Sequence, residues 1–468
     1  MNNRTSQATA SLQATLFGAL VWTVDLLPAS LRFGHARTVT AKLFGRNRLD
    51  RLVGSATGPA TQAPRALDAR RVWNTNAVIA TGHLGVGGVE SVVATLACGL
   101  PDSGVHATVL CSGGGPTWEA LRSRGIPTVL VHDLSGAIDA FDRIKPDVAE
   151  LHNAPEYMAE AARIRRIPIV PVVHNTEIYR THAEWKSVAT ISHRARLYVA
   201  VSETVRAHHE ANLPPGRHPP SVIIPNAAFM PTGSLLYEAR SEARAELSQT
   251  LEGALSPESF VLLSLARYDA QKNIPGLVAA FLDIASLRPS LHLVVAGDEV
   301  DWLEVRRADA LRRSSPHGDR VHLLGASNPA TLLAAADAFV LDSFHEGWPV
   351  AATEAGMAGL PLVMARVGGA AELIGSRSER GIMVANPATD GVINETSVRL
   401  ARRRVTRQCN RSELCDALMA VTENAAQWAS RRRAIMDQIT ELTGLESMIN
   451  AHASALRAAA DPGGPESG

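Results

Sequence analysis

From Val72 onward, short runs of β-branched and other apolar residues alternate with helix-like stretches, and no other feature limits the fold as much. "AVIATG", "ATVLCS", "PTVLVH", "DVAELH", "IPIVPVVHN", "LYVAVS" and "SVIIPN" each read as a buried parallel strand closed by polar turn residues. The pattern lapses into charged sequence around Ala228 to Pro257, then resumes with "FVLLSLAR", "LHLVVAG", "RVHLLGA", "AFVLDS" and "LPLVMAR". Two successive βαβ series imply two doubly wound α/β domains with a cleft between them. A length of 468 residues, too long for one core, agrees. The expected division is an appendage over 1–70, a first Rossmann-like domain over 71–230, and a connection over 231–257. A second Rossmann-like domain follows over 258–410, then helices over 411–460 that cross back to the first domain, and a frayed tail over 461–468.

Apolar residues make up 46% of the chain and charged ones 20%, proportions of a folded protein. Basic and acidic residues number 46 each, so nothing in the charge balance asks for a nucleic-acid partner. Cys98, Cys111, Cys409 and Cys415 show no metal-like spacing and read as buried free thiols of a reducing, cytoplasmic compartment. In the appendage, Leu12, Leu16, Phe17, Leu20, Val24 and Leu27 recur at helical spacing. The apolar run stops at Asp25, short of the ~20 residues a spanning helix needs. Arg32, Arg37, Lys42, Arg46, Arg48 and Arg51 follow. Three readings fit: a helix on the inner face of a membrane through residues 10–52, a helix packed on the protein's own surface, or, least well, a signal peptide. "GSATGPATQAPRA" then reads as a linker.

Ligands of doubly wound sheets bind outside the carboxyl ends of strands, and the chemically interesting residues fall there. Glu346 and Glu354 stand eight positions apart in "EGWPVAATE", the first in a strand-to-helix loop and the second about two turns down the helix. Such a loop presents backbone N–H groups to an anion, and two acids beside it are awkward unless each holds a hydroxyl or a proton. In "LARYDAQKN", Arg267 and Lys272 straddle a short turn and can converge on one phosphate pair; alone, such a pair is usually a solvated patch. "GHLGVGGVES" offers Gly87 and Gly88 ahead of a helix, a phosphate cradle or a plain packing turn, out of register with G-x-G-x-x-G. His152 ends "DVAELH", followed by Asn153, and His174 ends "IPIVPVVHN"; strand-end histidines serve either structure or chemistry.

These segments, together with "VIIPN" and the long run "LLGASNPATLLAAADAFVLDSFHEGWPVAATEAGMAGLPLVMARVGGAAELI", resemble the retaining glycosyltransferases of the GT-B architecture, in the large family-four group. The resemblance covers roughly Val72 to Pro387. It implies a nucleotide-diphosphate sugar as donor and a saccharide, lipid-linked or cell-envelope acceptor. By it, Arg267 and Lys272 neutralise the diphosphate, Glu346 contacts hydroxyls of the transferred sugar, and Glu354 accepts hydrogen bonds from the ribose. His174 would lie by the reacting sugar, with His152 and Asn153 toward the acceptor. Gly87, Gly88, Gly347, Trp348 and Val350 would complete the donor site. No metal and no other cofactor is implied, since the cations and helix N-termini carry the charge a divalent ion would. Trp348 and Pro349 depart from the Phe and Gly of many relatives, and proline removes one backbone donor. The segment 388–410 is longer than usual and has no assigned role.

Two rival readings remain at this level: a sugar-nucleotide epimerase of the same architecture, or a non-catalytic scaffold protein of that fold. A scaffold would be expected to lose some of Arg267, Lys272, Glu346 and Glu354, and all four are present.

Overall fold

The computed structural model describes residues 23–24, 49–50, 75–85, 87–215, 218–228 and 238–461. Its first sheet contains β1 (Thr75–His83), β2 (Val105–Gly113), β3 (Thr128–Leu130), β4 (Val148–His152), β5 (Ile169–Val173), β6 (Tyr198–Ala200) and β7 (Ser221–Ile223). The spatial order is β3-β2-β1-β4-β5-β6-β7, and every pairing is parallel. Its strands read as apolar runs because helices cover both faces. Successive residues of β1 point to opposite sides, so Ile79 joins one core with Leu96 and Leu456, while Val78 and Ala80 join another with Phe141 and Met158. Leu456 comes from the helix Leu445–Ala460, which is as much part of this core as the strands. Fully buried, it contributes about 1.5–3 kcal/mol relative to an exposed side chain.

The second sheet holds β8 (Phe260–Leu265), β9 (Leu291–Ala296), β10 (Val321–Leu324), β11 (Ala338–Leu341), β12 (Leu362–Ala365) and β13 (Gly381–Val384). Its order is β10-β9-β8-β11-β12-β13, again all parallel. The helix after β8, Ile274–Ile284, buries every residue from Ile274 to Phe281. Such all-round apolarity requires cover on every side, and the helices Trp302–Ser314 and Arg411–Glu423 supply part of it. The α/β doubly wound class holds for both sheets. One compact unit comprises Ala60–Phe229, Glu346–Thr353 and Ile439–Gly468; the other comprises Met1–Pro59, Met230–His345 and Glu354–Gln438.

Several expectations are refined. The helix that carries Glu354 is Val350–Met357, so Glu354 lies about one turn in rather than two, because Pro349 cannot continue the helix backward. The unassigned segment 388–410 contains the helix Glu395–Arg403 and sends Arg402 to the buried Glu304. All four cysteines are free, but of these only Cys111 is buried; Cys98 and Cys415 are half-buried, and Cys409 is exposed on that surface segment. Of the amino-terminal stripe, Val24 is described and is buried against Trp302 and Leu303. Farther along, Asp50 bridges to Leu324 at the edge of the second sheet, its carbonyl accepting from the Gly325 N–H at 2.7 Å. The other stripe residues, the 54–66 linker, 231–237 and 462–468 lie outside the described residues. Among the described residues no helix is long and apolar enough to cross a membrane.

Candidate functional site

In the six-stranded sheet the strand order reverses at β8, which has β9 on one side and β11 on the other. The loops after β8 and β11 therefore flank the point at which ligands of open α/β sheets bind. The loop after β8 is organised by Asp269. Its Oδ1 accepts the backbone N–H groups of Gln271 at 3.0 Å and Lys272 at 3.2 Å, and its Oδ2 meets Arg267 Nη2 at 2.9 Å. One carboxylate thus pairs with the Arg267 guanidinium and fixes the backbone of Lys272, although Arg267 is 54% exposed and the ion pair adds little stability. Gln271 ties this loop to the one after β11: its carbonyl accepts from Phe344 N–H and its amide donates to the His345 carbonyl, each at 2.8 Å.

Behind Lys272, Asn273 adopts a left-handed conformation with φ of 51° and starts the helix Ile274–Ile284. Its amide donates to Asp342 Oδ2 at 2.8 Å, while Asn410 donates to Asp342 Oδ1 at 2.7 Å and Gln408 to Asn273 Oδ1 at 2.8 Å. The segment 388–410 thereby braces the loop from below. Burial pushes the Asp342 carboxyl up to about 7 against the pull of those two amides. Glu354, half-buried in Val350–Met357, is likewise pushed up to about 7 by burial. A desolvated carboxyl of this kind is suited to accept hydrogen bonds from incoming hydroxyls.

The other unit holds the remaining candidates. His152 ends β4 and His174 follows β5, and the structure brings them together, Nδ1 to Nε2, at 2.9 Å. Asn153, also left-handed, follows His152 with φ of 49°. Gly87 and Gly88 stand at the start of the helix Gly88–Gly99, where the Glu90 carboxylate lies in the first turn. A side chain at Gly87 would run into that carboxylate, so a negative group already occupies this helix N-terminus.

Residues 346–353 also belong to this unit. Ser202 donates to the Gly347 carbonyl at 3.1 Å, and Thr176 to the Glu346 carbonyl at 3.5 Å. Glu346 is buried, and Val350 opens the following helix. Trp348 is buried with its indole N–H donated to Thr353 Oγ1 at 2.9 Å, so its role is to hold the loop. Pro349, which offers no N–H, accepts from Ala352 and Thr353. Gly347 presses on the His174 carbonyl, and a Cβ there would overlap it. Gly347→Ala is therefore expected to cost about 1–3 kcal/mol, because backbone rather than a side-chain tip must give way. Chemical denaturation checks this, and an unchanged midpoint would show that the loop can shift freely.

Asp269, Gln271, Asp342, Asn410, Glu150 and His452 were not anticipated. Glu150 had a signal, an acid two residues before His152 and hence on the same face of a buried strand. His452 had none, being 302 positions from its partner. Among the described residues no group of three or more His, Cys, Asp or Glu is arranged to hold a metal ion.

Comparison with known proteins gives two family models: glycosyltransferase family 4 over residues 86–228 and glycosyl transferases group 1 over residues 251–400. A curated glycogen synthase of Mycobacterium tuberculosis (strain CDC 1551 / Oshkosh) is 31% identical over 159 residues, covering 31% of this chain and 37% of that protein. The chain thus spans well under half the length of that relative. Among solved structures, Anabaena HepE in complex with UDP has a TM-score of 0.63 at 20% identity, covering 82% of this chain and 99% of that one. Sucrose-phosphate synthase from Thermosynechococcus elongatus has a TM-score of 0.60 at 18% identity, covering 82% and 98%. At such identities the likeness is one of fold. The two family models fall on the two sheets in turn and together span more than half of the chain, which belongs to the group 1, family-four glycosyltransferases.

Proposed function

We propose that this chain moves a sugar, with retention of anomeric configuration and without a bound metal, from a nucleotide-diphosphate sugar to a saccharide, lipid-linked or cell-envelope acceptor. The observation that carries the reading is the loop after β8, where Asp269 orders Arg267 and Lys272 beside the loop after β11. Two cations at a strand-order reversal suit a diphosphate whose charge grows as the glycosidic bond breaks. Glu354 fits the ribose hydroxyls and Glu346 those of the transferred sugar. HepE was crystallised with UDP and with UDP-glucose, which supports a uridine donor. A membrane-surface role rests on the basic run from Arg32 to Arg51, because Val24 of the apolar stripe is already buried on the protein itself.

The test is thermal shift of the full chain against UDP-, GDP- and ADP-sugars, followed by transfer assays in EDTA with NMR of the product's anomeric proton. One donor should raise the unfolding midpoint, since a ligand that binds only the folded state stabilises it. Transfer should survive EDTA and preserve the anomer. Release of a 2-epimer without acceptor, or no stabilising donor at all, would overturn the reading.

A further inference from the structure

The segment 388–410 has two sides. Inward, Arg402 is buried against Glu304, while Gln408 and Asn410 hold Asn273 and Asp342. Along the helix Glu395–Arg403 the buried residues are Val398, Ala401 and Arg402. At about 100° per residue these three mark one face, and Thr396, Arg399, Leu400 and Arg403 fall on the other. Arg404 follows at the carboxyl end and Arg407 closes the short turn Val405–Arg407, both exposed. Leu400 is 46% exposed amid these cations. Val392, just before the helix, is 81% exposed, the most of any large apolar side chain among the described residues.

The charges of this outward face are balanced differently from those of other helices in the chain. Elsewhere, surface arginines sit three or four positions from an acid that pairs with them: Arg163 with Glu160, Arg206 with Glu203, Arg313 with Asp309 and Arg433 with Asp437. Between 388 and 410, five arginines meet only two acids, Asp390 and Glu395. Arg399 and Arg403 stand four apart on the helix, the spacing at which like charges repel. Arg399, Arg404 and Arg407 make no ion pair with any described residue. Cations at a helix carboxyl end answer its dipole, which accounts for Arg403 and Arg404. It does not account for Arg399, Arg407 or the exposed Val392 and Leu400.

We propose that the outward face of residues 392–407 docks the chain on an anionic lipid surface, with its arginines at headgroup phosphates and Leu400 and Val392 among the first methylenes. Two observations choose lipid. Exposed aliphatic side chains set among cations match an interface that is anionic above and apolar below. Nucleic acid is instead met by polar side chains and stacking aromatic rings, and this segment has no aromatic residue. Second, Arg402 ties the segment through Glu304 to the helix Trp302–Ser314, whose first residues also bury Val24. Val24 precedes the basic run Arg32 to Arg51, so two cationic segments are anchored on one helix. Both lie outside the stretch from Val72 to Pro387 that resembles the glycosyltransferases. The proposal rests on this surface and not on the transferase reading, and it adds a second contact to the membrane role of the appendage.

The experiment uses the full chain and vesicles of phosphatidylcholine, alone or with an equal part of phosphatidylglycerol. Cosedimentation should show binding to the mixed vesicles, none to phosphatidylcholine alone, and release as salt rises and screens the cations. Arg404→Gln combined with Arg407→Gln should weaken binding about 25-fold, about fivefold for each cation. Leu400→Ser should weaken it about tenfold. All three positions are exposed, so the variants should keep the thermal midpoint of the wild type. Hydrogen exchange of the wild type needs no variant to fold: mixed vesicles should slow the amides of 392–407, and phosphatidylcholine alone should not. Unchanged partitioning of the double variant overturns the proposal. So does protection confined to residues 1–70, which would leave the appendage as the whole membrane contact. Tighter binding to polyuridylate than to mixed vesicles at the same salt, with 392–407 protected, would overturn the lipid assignment in favour of nucleic acid. Vesicle binding as expected by a chain that transfers no sugar would remove the transferase reading and leave this surface in place.

Discussion

Replacing Lys272 with alanine should lower kcat by about 10²–10³-fold while leaving the thermal midpoint within a few degrees of the wild type. The side chain and the backbone of Lys272 do separate jobs. Its backbone N–H donates to Asp269 Oδ1, and the following Asn273 is held by Asp342 and Gln408, so the turn survives truncation. On the proposed reading, what is lost is a mobile point charge beside a leaving diphosphate, an interaction worth most when negative charge has built up in the transition state. The loss should therefore appear in kcat more than in KM. Lys272→Arg should recover only part of the rate, because a planar fork on a longer arm cannot occupy the same point. Asp269→Ala should be damaging in a different way, raising KM as both Arg267 and Lys272 lose their shared anchor. Wild-type turnover by Lys272→Ala would remove the diphosphate from this loop.

Most of the architecture was legible because parallel strands advertise themselves. All seven strands of the first sheet coincide with apolar runs visible in the sequence, from "AVIATG" to "SVIIPN". In the second sheet β13 escaped notice: "GIMV" is a four-residue strand at the sheet edge, preceded by the charged "SRSER". Its pairing to β12 is a tertiary fact that local apolarity cannot announce. The same distinction governs the site. Arg267 and Lys272 were legible because one turn holds both, and His152 and His174 because strand ends are visible as patterns. Asp342 and Asn410 meet across 68 positions, and Glu150 and His452 across 302, so no window of sequence could join them. What sequence could have flagged was chemical incongruity, an acid inside "DVAELH" and inside "AFVLDS", where burial demands a partner.

Donor affinity should rise with pH between about 6 and 8, and Glu354 is the reason. Its carboxyl, pushed up to about 7 by burial, is protonated in part of the ligand-free molecules at neutral pH. Ribose hydroxyls donate to the ionised form far better than to the acid, so binding must expel the proton, and below about 7 that expulsion weakens binding. The folded value lies above the 4.5 of an ordinary glutamate, so the folded chain holds this proton more tightly than the unfolded one. The resulting stability is fully present below about 4.5 and is lost as pH rises through about 7. Asp342, raised from 3.8 to about 7, adds a loss of the same sign in the same window. The ligand-free protein should therefore lose stability where its donor affinity gains, and saturating donor should flatten the stability profile. Glu354→Gln removes one titration and should make donor affinity nearly independent of pH between 6 and 8, at roughly a tenfold lower plateau. Glu354→Ala, which loses both acceptor oxygens, should weaken binding by about 10²-fold. Isothermal titration in buffers of different ionisation enthalpy reads the proton release directly. Donor binding by the wild type without proton release at pH 6.5, and with affinity flat from 6 to 8, would place the ribose away from Glu354 and leave its raised carboxyl as a feature of the helix alone.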